Sequence, residues 1–160
     1  MKTLKELIFN ITPIEIKGNI DIEISSISIN SKAIEEGWLF IAMKGEKLDG
    51  HDYINEVIEK GAKAIIYEND IESPKDGIVY VKVADTHEAC GIIASNFYDN
   101  PSKSLKLVGV TGTNGKTTIA TLLHKLFRNL GKNTGMIGTI VSKINHKEMK
   151  ANLSAPDSIS

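Results

Sequence analysis

The sequence predicts an α/β protein in two parts: an N-terminal α/β domain over residues 1–101, then the opening of a parallel-sheet domain over residues 102–160. Short apolar runs suited to strands alternate with helical stripes along the chain. A turn-forming cluster, Asp99-Asn100-Pro101-Ser102, interrupts that alternation and marks the boundary. Beyond it, a strand pattern runs into a glycine-rich loop and then a helix.

Taken in order, Thr3 and Glu6 form a capping box ahead of Leu4, Leu7 and Ile8, which opens the chain with a short helix. Ile20, Ile22 and Ile24 alternate with polar residues, and Ile27 and Ile29 resume on the opposite parity. A bulge or a break is therefore expected at Ser25-Ser26. Trp38 to Ala42, bounded by Gly37 and Gly45, is long enough for a buried strand. Ile54, Val57 and Ile58 fall at helical spacing with Gly61 as the stop, and Ala64-Ile65-Ile66-Tyr67 follows as a strand. The pattern repeats with a strand at Ile78-Val79-Tyr80-Val81 and a helix carrying Ala89, Ile92, Ile93 and Phe97, capped by Asp85 with Glu88.

After the boundary, Leu105 to Val110 reads as a strand and Met136 to Val141 as another. Between them Ile119, Leu122, Leu123, Leu126, Phe127 and Leu130 make the most regular amphipathic stripe in the chain, stopped by Gly131. Strand, loop, helix and strand are only the first unit of a parallel sheet, which needs both faces covered. The chain is therefore expected to be truncated relative to a functional protein, with part of the helix stripe left exposed.

Composition narrows the class. Nineteen basic against twenty acidic side chains give a formal charge of −1, with no basic run suited to a nucleic-acid backbone. The N-terminus lacks a signal-peptide pattern and no stretch approaches the ~20 apolar residues of a membrane span. A soluble, cytoplasmic protein without nucleic-acid or membrane partners is expected. Cys90 sits in an apolar pattern and reads as a buried inert thiol. His51, His87, His124 and His146 show no metal-ligand spacing and read as structural or surface residues. Glu46, Asp49 and Asp52 read as caps and turn formers.

The chemistry is concentrated in Val110-Thr111-Gly112-Thr113-Asn114-Gly115-Lys116-Thr117-Thr118. A loop between a strand and a helix N-terminus turns several backbone N–H groups toward one point, where the helix dipole adds positive potential, and phosphate is the natural guest. Gly112 and Gly115 let the backbone approach closely, Lys116 reaches β- and γ-phosphates, and the Thr117 hydroxyl suits a Mg²⁺ ligand. Gly112, Thr113, Asn114, Gly115, Lys116, Thr117 and Thr118 are thus the candidate contacts to ATP, and Thr117 the candidate metal ligand. Relative to the strict G-x-x-x-x-G-K-T spacing, the first glycine falls at Val110, with Gly109 one residue earlier.

T-G-T-N-G-K-T-T resembles the loop of the Mur ligases, ATP-dependent enzymes that extend the peptide of the bacterial cell-wall precursor. Asn30-Ser31-Lys32, Gly37-Trp38-Leu39-Phe40-Ile41-Ala42-Met43-Lys44-Gly45-Glu46 and Asp49-Gly50-His51-Asp52 are similar to the D-S-R, G-D-L-F-V-A-x-x-G and D-G-H-D blocks of that family's N-terminal domain. Gly135-Met136-Ile137-Gly138-Thr139 and Leu153-Ser154-Ala155-Pro156-Asp157 resemble G-x-I-G-T and L-T-T-P-D/E, which point to the branch adding the third amino acid.

The resemblance implies a substrate-binding domain over 1–101 and an incomplete central ATP-binding domain over 102–160. It also implies a ligase that uses ATP and Mg²⁺ to activate UDP-N-acetylmuramoyl-L-alanyl-D-glutamate as an acyl phosphate, which diaminopimelate or lysine attacks. Lys116 then takes a catalytic role, neutralising charge on the moving phosphoryl group. Ser31 matches the serine that bonds the uridine nucleotide; on residues alone a turn position suits it equally. Lys47 lies in a loop matching a nucleotide-contacting segment, although a solvated lysine explains it better. Ser154 and Ala155 match substrate-contacting threonines, and alanine offers no hydroxyl. The full-length protein is expected to be a monomer, and the 160-residue chain alone inactive. A non-catalytic nucleotide-binding module, or a related ligase with another substrate, stays open as an alternative.

Overall fold

The computed structural model describes residues 1–45, 48–71, 73–139, 141–150 and 159, which form two compact units, Met1–Ser104 and a second beginning at Leu105. The first opens with β1 (Lys2–Thr3) and α1 (Leu4–Leu7). Thr3 caps α1 as its spacing predicts: its hydroxyl accepts the Glu6 N–H at 3.3 Å while its own N–H donates to the Glu6 carboxylate at 2.7 Å. The other end of α1 is closed from far along the chain, by the Asn96 side-chain amide donating to the Leu7 and Phe9 carbonyls at 2.9 and 2.8 Å.

Next come β2 (Glu15–Lys17), β3 (Glu23–Ile24), β4 (Ile27–Ser28), β5 (Leu39–Ile41), α2 (Ile54–Glu59), β6 (Ala64–Tyr67), β7 (Val79–Lys82) and α3 (Thr86–Phe97). The parity change at Ser25-Ser26 is a break, not a bulge. β3 pairs with β1 in a two-stranded ribbon, and β4 then joins a different sheet, ordered β2-β7-β6-β5-β4. In it β4 to β7 run parallel and β2 is antiparallel on the edge.

Side chains in the central strands divide by twos. Leu39, Ile41, Ala64, Ile66, Val79 and Val81 face α1 and α3, where they meet Leu4, Leu7, Ala89, Cys90 and Ile93. Phe40, Ile65, Tyr67 and Tyr80 face the opposite layer, with Ile34, Ile54 and Val57. The result is a three-layer α/β/α sandwich with both faces of the parallel strands dry.

The second unit contains α4 (Lys116–Asn129), β8 (Gly135–Met136), β9 (Val141–Ile144) and β10 (Lys147–Lys150), the strands paired antiparallel in the order β10-β9-β8. Two expected elements differ. Leu105 to Val110 forms no strand, and Leu107 is 93% exposed, because an apolar run needs a laddered neighbour before it becomes one. The strand expected over Met136 to Val141 is divided between β8 and β9. No helix among the described residues is long and apolar enough to cross a membrane.

The face of α4 that packs on this small sheet is not its apolar stripe. His124 is buried and Thr121 half-buried, whereas Ile119, Leu122, Leu126, Phe127 and Leu130 stay exposed. His124 Nε2 and Thr134 Oγ1 are buried without a hydrogen-bond partner among the described residues. Burial pushes the His124 imidazole below its ordinary 6.5, and Arg128 and Lys143 push it the same way. The folded unit thus prefers the neutral ring, and the unfolded chain takes up the proton first. Stability is present above 6.5 and drains as the pH falls from there toward the folded value. Amide protection in α4 is expected to drop as the pH falls below 6.5, and His124→Leu to flatten that dependence. Parallel losses in wild type and His124→Leu would acquit the histidine.

Candidate functional site

The C-terminal ends of β4, β5, β6 and β7 share one edge of the sheet, the edge at which open α/β sheets hold ligands. After β4 the chain turns through Ser28 and Asn30. The Ser28 hydroxyl accepts the Asn30 N–H at 3.0 Å, and the Asn30 side chain caps a 3-10 turn, Ser31–Ala33, by accepting the Lys32 N–H at 3.0 Å. Ser31 is half-buried at the start of that turn, its carbonyl accepting from Lys60 Nζ at 2.9 Å.

After β5, Lys44 pairs with Asp49 in an antiparallel bridge. Gly50 donates to the Met43 carbonyl at 2.8 Å, and a Cβ at Gly50 would lie 2.8 Å from backbone atoms of Met43. Asp49 caps the 3-10 turn Gly50–Tyr53 by accepting the His51 N–H at 3.0 Å, and this bond, reinforced by the ring, holds its carboxyl below the usual carboxylate range. Capping is the role that the sequence assigned to Asp49.

The His51 ring lies between this loop and the end of β6. Nδ1 is 2.5 Å from Asp49 Oδ1, and Nε2 faces the N–H groups of Glu68 at 3.1 Å and Asn69 at 3.3 Å. Because a backbone N–H can only donate, Nε2 accepts and Nδ1 carries the proton. The Glu68 carboxylate accepts the Thr86 N–H and hydroxyl, each at 3.0 Å, and His87 donates from Nε2 to the Lys44 carbonyl at 3.1 Å. These contacts join the ends of β5 and β6 and the start of α3 in one closed circuit. Asp85 caps α3, its carboxyl held low by the N–H groups of Glu88 and His87.

In the second unit, Gly115 occupies the N-cap of α4 at φ 80° and Gly112 stands at φ 146°, conformations that favour glycine. No side chain caps α4, so the first amides of the helix face the loop without a side-chain acceptor. Lys116 Nζ donates to the carbonyls of Gly112 at 2.5 Å and Thr113 at 3.3 Å, which sets an ammonium at the mouth of the loop. No other atom lies within 4 Å of where a Cβ on Gly115 would be. Uncapped amides, a helix dipole, an ammonium and open space together suit a phosphate chain. Thr117 follows on the first exposed turn of α4; among the described residues no cluster of His, Cys, Asp or Glu forms a further cation site.

Of the residues singled out from sequence, the structure brings Gly112, Thr113, Gly115 and Lys116 together and gives Ser31 a place at the sheet edge. Ser154, Ala155, Glu46 and Lys47 lie outside the described residues. Sequence reading missed the polar circuit through His51, Glu68, Thr86 and His87.

A family model described as "Mur ligase family, catalytic domain" matches residues 23–98, and one described as "Mur ligase middle domain" matches residues 110–160. The UDP-N-acetylmuramoyl-L-alanyl-D-glutamate–2,6-diaminopimelate ligase of Cytophaga hutchinsonii is 47% identical over 98% of this chain and 32% of its own length. The chain thus spans about a third of the length of the curated relatives it matches. A solved diaminopimelate ligase of the same name shares the fold at TM-score 0.71 over 99% of this chain and 31% of the other, with 22% identity. The MurF ligase of Thermotoga maritima, solved with ADP, aligns at TM-score 0.50 with 33% identity over 68% of this chain and 24% of its own. With two adjoining models of one family along its length and the α/β fold of solved members, the chain belongs to the Mur ligase family.

Proposed function

We propose that this chain is the N-terminal part of an ATP-dependent amide-forming ligase that adds diaminopimelate to UDP-N-acetylmuramoyl-L-alanyl-D-glutamate. The observation that carries the reading is 47% identity, over nearly the whole chain, to a relative named for that reaction. The same name recurs among the other similar relatives and favours diaminopimelate over lysine. In this reading residues 1–101 hold the uridine nucleotide, with Ser31 as one contact, and residues 102–160 begin the ATP site.

The phosphate loop supports the second half. Its uncapped amides and the Lys116 ammonium fit the phosphates of ATP, and Thr117 offers one hydroxyl to a Mg²⁺ whose remaining ligands come from phosphate, water or chain beyond this sequence. ATP, when bound, supplies the phosphoryl group that activates the D-glutamate carboxylate. Lys116 would hold the γ-phosphate and offset the charge that builds during transfer. Ser154 and Ala155 belong to the proposed substrate-contacting segment.

Joining this chain at Ser160 to the remainder of the Cytophaga hutchinsonii ligase gives a full-length hybrid. It is expected to release ADP only with ATP, Mg²⁺, the muramyl dipeptide and diaminopimelate all present. A folded hybrid whose ADP release ignores the muramyl dipeptide sinks the reading.

A further inference from the structure

We propose, on the reading above, that His51 is a positioning residue for the uridine-nucleotide subsite. Its neutral ring latches the loop between β5 and α2 to the end of β6, and so holds the turn that carries Ser31. His51 stands in the 3-10 turn that leads directly into α2. Ile54 and Val57 of α2 pack in one cluster with Ile34, the residue that closes the Ser31–Ala33 turn. Lys60, just past α2, donates to the Ser31 carbonyl at 2.9 Å. The start of α2 is fixed by His51 and its end holds Ser31, so a shift of the latch is carried to the subsite through a short rigid helix.

The latch depends on an acceptor. Nε2 faces two backbone N–H groups, and both can only donate to it. Among the described residues, only Asp49 bonds the ring by its side chain, and it does so at Nδ1. The Glu68 carboxylate is engaged by Thr86, and Asp85 by the amides of α3. The latch therefore needs an acceptor at the position of Nε2.

The test uses the 160-residue chain with uridine diphosphate as the probe in calorimetric titrations, alongside amide hydrogen exchange at Glu68 and Asn69. Glutamine can carry an oxygen to the position of Nε2 and cannot protonate; asparagine reaches only as far as Nδ1. At pH 8, His51→Gln is expected to bind within about threefold of wild type and His51→Asn and His51→Phe about tenfold more weakly, the size of lost neutral hydrogen bonds. Protection of the two amides should follow the same order. Glutamine as weak as phenylalanine overturns the latch. A wild-type chain that binds no uridine diphosphate overturns the functional reading instead, and the latch then falls if His51→Phe leaves both amides as protected as before.

Discussion

Lys116→Ala in the full-length hybrid is expected to lower kcat by about 10²–10³, the loss that follows removal of one preorganised group facing charge developing in a transition state. The ammonium is already at the loop mouth, held by the carbonyls of Gly112 and Thr113, so little reorganisation separates it from a phosphate. Its position as the first residue of α4 adds it to the positive end of the helix dipole. Lys116→Arg keeps the charge but brings a broader, planar head to a loop shaped for a compact one. That variant is expected to recover ATP binding more than turnover. Steady-state ADP release measured against ATP concentration separates the two, and an unchanged kcat in Lys116→Ala would remove the lysine from the chemistry.

Phe40→Ala is expected to destabilise the first unit by about 3–5 kcal/mol, the usual cost of deleting a fully buried aromatic ring and leaving its cavity. Phe40 lies in β5, flanked in the sheet by β4 and β6, and its ring is completely buried among Ile34, Ile54, Val57 and Tyr80. The ring fills the space between the sheet and the α2 layer, so no neighbour can collapse inward cheaply. Trp38, packed against the same cluster, reports urea unfolding by its fluorescence. Leu122→Ala on the exposed face of α4 serves as the contrast, expected within about 0.5 kcal/mol of wild type by loss of amide protection in α4. A Phe40→Ala loss below about 1 kcal/mol would show that this layer contributes little to stability.

What could be read in advance was written within a few residues of chain. The Thr3–Glu6 box, the Asp85 cap and the Gly61 stop each involve neighbours, and each stands where its spacing indicated. The glycine-rich loop leading into α4 was legible for the same reason. Pairing over distance was not. The circuit through His51 joins residues 17 to 43 positions apart, and nothing in the composition of those segments announces it. The β9–β10 hairpin escaped because Asn145 turns it at φ 51° without the glycine that usually marks such turns. On α4, periodicity identified the apolar face but not its cover, and in this chain the small sheet takes the His124 side instead. Leu105 to Val110 fails as a strand on the same ground: hydrophobicity makes a segment eligible for a sheet, and only a neighbour enrols it.

The amide of Asn96 that closes α1 has a bearing on the order of events during synthesis. Its two bonds to Leu7 and Phe9 span 89 and 87 residues, and β2 reaches β7 across a shorter but still long stretch, from Lys17 to Tyr80 at the nearest pair. The beginning of the first unit is therefore sealed by its end. While the ribosome is still making β5 and β6, the emerging chain can form local turns, but α1 lacks its closing partner and β2 lacks β7, its strand neighbour among the described residues. Loop-closure entropy on that scale is recovered only when α3 has left the tunnel, so the unit closes late and in one step, with the phosphate loop next in line behind it.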